Sequence, residues 1–131
     1  MKGIPLFSWL LQKRERRRVP RIRISRVPEL TFWDEEGKRH FGEIIDLSLY
    51  GLRFASKVKI RAHSKIDLEF QLLTETGALY NIRTDAEAVY CYKPMSHERH
   101  RVGCSFLNME KASCEKLAGY LKRIPAKRRR K

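Results

Sequence analysis

The sequence predicts a mainly β chain, a small antiparallel barrel followed by one C-terminal α-helix, on three observations. First, Ile66, Leu68 and Phe70 alternate with Asp67, Glu69 and Gln71, the period of a strand with one face on a core. Second, Glu43 to Ala55 reads as strand, tight turn and strand, and further short alternating stretches recur on either side of turn-forming residues. Third, Cys114, Leu117, Ala118, Leu121 and Ile124 recur at helical spacing, with Pro125 as a stop.

The chain has 131 residues, which suits one domain, and its 42% hydrophobic content with six Phe, five Tyr and two Trp supports a folded core. Residues 1–12 carry Ile4, Leu6, Phe7, Trp9, Leu10 and Leu11, an apolar segment that packs on the domain. With the basic residues after it, the alternative is a peripheral membrane contact through residues 1–18. Its apolar run, residues 4–11, is broken by Pro5 and Ser8, far short of the ~20 residues of a spanning helix, and no signal-peptide cleavage site follows.

An arm, residues 13–21, comes next. Its like charges repel, and Pro20 stops any helix near Arg18, so a mobile arm is expected in the absence of a ligand. Arg17 and Arg21 stand at the spacing Arg-x-x-x-Arg, with Arg14 and Arg18 as a second register. The barrel is expected over residues 22–107. Arg21 to Phe32 alternates as a strand interrupted at Pro28, and Asp34-Glu35-Glu36-Gly37 is a turn.

In the central hairpin, Ile45, Leu47 and Leu49 are expected inward, and Ile44, Asp46 and Ser48 outward. Tyr50-Gly51 supplies the turn, where glycine can take positive φ and admit a close approach. Leu52 and Phe54 then point inward and Arg53 outward, so that Asp46, Ser48 and Arg53 can converge on one outer patch suited to a polar ligand. Thr76-Gly77 is a turn, Ile82 to Tyr92 and Arg101 to Leu107 are strands, the helix covers residues 110–124, and residues 125–131 form a basic tail.

The formal charge is +14, held at the two ends: residues 13–26 carry +7, residues 122–131 another +7, and residues 27–121 sum to −1. Basic ends on a neutral body allow non-specific binding to phosphate backbones, but the body offers no basic groove, and nucleic acid is the disfavoured partner. Cys91, Cys104 and Cys114, odd in number and in apolar contexts, read as reduced thiols of a cytoplasmic protein. There is no nucleophile motif or phosphate loop, and His97-x-x-His100 has no cysteine at metal-ligand spacing, so neither an enzyme nor a metal site is expected.

Arg17-x-x-x-Arg21 and Asp46-x-Ser48-x-x-Gly51, in this order and at this separation, resemble the signature of the PilZ domain, the bacterial receptor module for cyclic di-GMP. The resemblance runs from about Glu15 to Leu121 and includes Gly103-Cys104-Ser105-Phe106, near the family's Gly-x-x-Phe segment. It implies a six-stranded split β-barrel that binds the dinucleotide on its outer surface, with Arg16, Arg17, Arg21, Asp46, Ser48, Gly51 and Arg53 as ligand-binding residues and no cofactor. Arg16, just ahead of the first motif arginine, is associated in this family with an intercalated pair of ligand molecules. The implied output is a contact with a downstream bacterial protein in motility, chemotaxis or exopolysaccharide synthesis. A PilZ-like interaction module with an idle ligand site is the alternative.

Overall fold

The computed structural model describes residues 22–23, 29–74 and 76–123. Among the described residues, seven strands precede one helix: β1 Ile22–Arg23, β2 Glu29–Trp33, β3 Arg39–Leu47, β4 Gly51–Ser56, β5 Lys65–Leu73, β6 Leu79–Tyr92, β7 His100–Phe106 and α1 Lys111–Arg123. Strands β2 to β7 form a closed, six-stranded antiparallel barrel in the order β3-β2-β5-β6-β7-β4, completed by pairing of β4 with β3. Closure leaves no sheet edge exposed around the ring.

The stretch expected as one strand from Arg21 to Phe32 contains two, β1 and β2, and residues 24–28 lie outside the described residues. β2 pairs with Arg39–Glu43 of β3, and β1 pairs further along the same strand, placing Ile22 opposite Leu47 and Arg23 opposite Asp46.

Alternation builds the core. Ile66, Leu68, Phe70 and Leu72 of β5 are buried, and Phe32, Phe54, Ile82 and Val102 meet them from other strands. Each such side chain contributes about 1.5–3 kcal/mol by leaving water. Leu117 of α1 and Met109 just before it are also fully buried, with Cys114, Tyr120 and Leu121 packed partly against the cluster. The helix thus buries the stripe that its spacing predicts, except that Ile124 lies outside the described residues.

The hairpin departs from the expected alternation. Ile44 pairs with Phe54 and Asp46 with Arg53, so Ile45 is an extra residue on β3, a β-bulge. The bulge reverses the phase: Ile44 is buried, Ile45 half-buried and Leu47 buried, whereas strict alternation places Ile44 outside. β6 repeats the device, with Ala88 opposite Cys104 and Tyr90 opposite Gly103, leaving Val89 unpaired. Glycine freedom is needed in two turns, at Gly37 (φ 82°) and Gly77 (φ 90°). The cysteines are free thiols, with Cys104 buried and Cys91 and Cys114 half-buried.

Candidate functional site

Four strands carry a row of residues across the outer face of the barrel. Asp46 of β3 stands opposite Arg53 of β4, Arg53 opposite Gly103 of β7, and Gly103 opposite Tyr90 of β6. Both bulges serve this row. Without the extra Ile45, Asp46 would share the inward phase of Ile44. Without the extra Val89, Tyr90 would follow the buried Ile82, Thr84, Ala86 and Ala88 into the core.

The row is knit by hydrogen bonds. Arg53 Nε donates to Asp46 Oδ2 at 2.8 Å, and Arg53 Nη2 donates to the same oxygen. The Asp46 side chain is 4% exposed and that of Arg53 35%, so the carboxylate sits beneath its partner. The hydrogen bond to Asp46 holds the Arg53 guanidinium pKa above the ordinary arginine value against the opposing effect of burial, and the neighbouring Tyr90 phenol adds to it. At Gly103 a Cβ would lie 2.4 Å from the Tyr90 ring, so the ring occupies the space of the missing side chain. Tyr90 and Tyr92 are partly exposed, with ring centroids 5.8 Å apart.

The two other hairpin motif residues also have work within the fold. Ser48 is buried, and its hydroxyl donates to the Gly51 carbonyl and accepts from the Tyr50 amide, fastening the turn. Strand β3 ends at Leu47, so Ser48 no longer shares the outward phase of Asp46. Gly51 is not a positive-φ residue. A Cβ there would lie 2.0 Å from the Cys104 carbonyl oxygen, so glycine is required for the close approach of β4 to β7. Arg16, Arg17 and Arg21, with the rest of the arm and residues 1–12 and 125–131, lie outside the described residues.

The neighbouring outer surface holds a groove of about 580 Å³ lined by Glu29, Arg39, Phe41, Glu43, Lys57 and Arg99, among others. Glu43 is paired with Arg99 at 3.1 Å. Among the described residues no group of three or more His, Cys, Asp or Glu could hold a metal ion, and no helix is long and apolar enough to cross a membrane.

Sequence reasoning named Asp46 and Arg53 but missed Tyr90 and the packing role of Gly103. The period of β6 points Tyr90 inward, and only the bulge reverses it.

Residues 12–123 match the family model of the PilZ domain. The chain belongs to the PilZ domain family. Solved structures agree on the fold. The inhibitor of motility MotI/DgrA from Bacillus subtilis superposes with a TM-score of 0.65 at 15% identity, covering 80% of this chain and 49% of that one. The PilZ domain of YcgR from Escherichia coli, solved with c-di-GMP, gives 0.61 at 16% identity over 82% of this chain and 90% of that one. The MrkH–c-di-GMP complex of K. pneumonia gives 0.58 at 18% identity over 80% and 50%. The PilZ chain thus spans about half the length of MotI/DgrA and MrkH. No curated protein matches it.

Proposed function

We propose that this PilZ domain is a non-catalytic, cytoplasmic receptor for cyclic di-GMP, whose arm orders around the ligand and so signals to a partner protein. The observation that carries the reading is the register of β1: Arg23 pairs with Asp46. Arg21 stands two residues before Arg23 in the sequence. This register supports bringing the two halves of the motif together at one site. The c-di-GMP bound in the YcgR and MrkH structures supports the choice of ligand. Three thiols free of disulfides support a reducing compartment.

The chemistry fits. Guanine offers its O6 and N7 acceptors to a guanidinium fork, and arginine also grips phosphate oxygens and stacks on flat rings. Arg17 and Arg21 take phosphate and guanine from the arm, and the Asp46–Arg53 pair receives the ligand on the barrel. Ser48 and Gly51 act by holding the hairpin that carries Asp46 and Arg53. Ordering about eight arm residues costs on the order of 10 kcal/mol at ~1–2 kcal/mol each, whereas one hydrogen bond to a charged group returns roughly 1.5–3 kcal/mol. Several contacts must therefore form together, which makes arm closure cooperative, and Arg16 favours an intercalated pair of ligand molecules.

Isothermal titration with cyclic di-GMP at physiological salt tests this, with GTP and single-stranded DNA as controls and an Arg17→Ala, Arg21→Ala variant beside it. Saturable binding of the dinucleotide alone, lost in the variant, with two ligands per protein, is expected. Silence toward the dinucleotide with salt-sensitive DNA binding would replace the reading with the nucleic-acid one. MrkH, described as a transcription regulatory factor, makes that control informative.

A further inference from the structure

We propose that Tyr90 is a positioning residue of the ligand site: its hydroxyl fixes the Arg53 guanidinium, which in turn fixes the Asp46 carboxylate before ligand arrives. The effect on affinity rests on the cyclic di-GMP reading. The positioning itself does not.

Three independent features of the fold converge on Tyr90. A bulge at Val89 turns it outward at the one place where the buried alternation of β6 is broken. A second bulge, at Ile45, turns Asp46 outward into the same row, with Arg53 between them. Gly103, directly opposite both Arg53 and Tyr90, leaves the space that the ring fills, and it has no positive φ that would otherwise call for glycine. Bulges placed on two strands and a glycine on a third are a costly way to bring one phenol beside one guanidinium, and bulges commonly serve to re-aim side chains.

Chemically the arrangement is a relay of orientation. A guanidinium is donor-only, so in the proposed contact the Tyr90 oxygen is the acceptor, while Nε and Nη2 already donate to Asp46 Oδ2. Held by the carboxylate alone, a side chain 35% exposed retains rotamer freedom; anchored from both sides it is rigid. A rigid arginine presents Asp46 in one orientation, and binding then loses less to ordering.

The test compares wild type with Tyr90→Phe, which keeps the ring and removes the hydroxyl, and Tyr90→Ala, which removes both. The readout that a purely structural role would not move is the Arg53 Nε–H resonance in ¹H–¹⁵N spectra of the ligand-free protein, assigned by its absence in Arg53→Lys. Wild type is expected to show a protected resonance that broadens in Tyr90→Phe while backbone dispersion stays native. Affinity for cyclic di-GMP is expected to fall about three- to tenfold in Tyr90→Phe at unchanged stoichiometry. An Arg53 resonance and affinity unchanged in Tyr90→Phe would overturn the proposal, as would affinity lost only in Tyr90→Ala, which would make the ring and not the hydroxyl responsible. If wild type binds no dinucleotide, the receptor reading fails, and the ligand-free Arg53 resonance still decides the positioning role.

Discussion

Arg53→Met should destabilise the domain by about 2–3 kcal/mol, more than Asp46→Asn, although Asp46 is the more deeply buried partner. Removing one member of a buried ion pair costs about 3–5 kcal/mol, because the other charge keeps its burial and loses its compensation. Asp46, 3% exposed, is that charge, and it loses one of its partners rather than all of them. The value is discounted because Arg53 is 35% exposed, so that water can take part of the vacated place. Asp46→Asn strands the guanidinium instead, but that side chain already reaches solvent and the amide oxygen can still accept its hydrogen bond. That change costs about 1 kcal/mol.

Urea and thermal unfolding followed by circular dichroism measure both, with a thermal midpoint about 6–10 °C lower expected for Arg53→Met in a domain of this size. The double variant should recover about 1–2 kcal/mol relative to the sum of the two, as contacting residues do. If Arg53→Met lies within 0.5 kcal/mol of wild type, or if Asp46→Asn is the worse of the two, the carboxylate does not depend on its partner and the reasoning fails.

Other expectations follow from single contacts. Gly51→Ala places a Cβ 2.0 Å from the Cys104 carbonyl oxygen, backbone against backbone, so no rotamer change can relieve it. A loss of at least ~2 kcal/mol in the same unfolding assay is expected, and a neutral result would mean that β4 and β7 can separate at no cost. Burial, helped by the neighbouring Glu115 charge, pushes the Cys114 thiol up to about 11 from 9.0. In a Cys91→Ser background its reaction with Ellman's reagent at pH 8 should therefore run about a hundredfold slower than that of the urea-unfolded chain. Asp34 accepts hydrogen bonds from His40 and from the Lys38 and Glu36 amides, and these, His40 foremost, lower its pKa below 3.8. A lowered folded-state value means that the stabilisation is complete above about pH 4 and is lost as pH falls through the folded pKa. Protection factors of the Gly37 and Lys38 amides, taken relative to the intrinsic exchange rate at each pH, should fall below pH 4 in wild type, and an equally acid-sensitive turn in Asp34→Asn would assign the effect elsewhere.

The barrel and its helix were legible because they are written in local period. Ile66 to Phe70 alternate without interruption, and Leu117 and Leu121 repeat at helical spacing, so the faces they bury follow from each segment alone. Where the period breaks, the sequence is silent. Ile44 and Ile45 are the same residue type, so nothing in the letters tells which faces the core, and the phase set by Leu47 was carried back through a bulge that reverses it. Val89 is as ordinary a strand residue as any in the ladder.

Asp46 and Arg53 were placed correctly because both lie beyond the Ile45 bulge, on the stretch where phase and pairing agree. Ser48 and Gly51 were named on motif grounds, and their hydrogen bond and steric limit, which involve the hairpin itself and β7 more than fifty residues downstream, were not legible in the letters. Tyr90 and Gly103 form a pair only when β6 and β7 align. A motif records which residues a site needs, and closure of the barrel determines which of them face outward and which hold the facing residues in place. Here the division falls between Asp46 and Arg53, which stand in the outer row, and Ser48 and Gly51, whose substitution should loosen the hairpin that carries them.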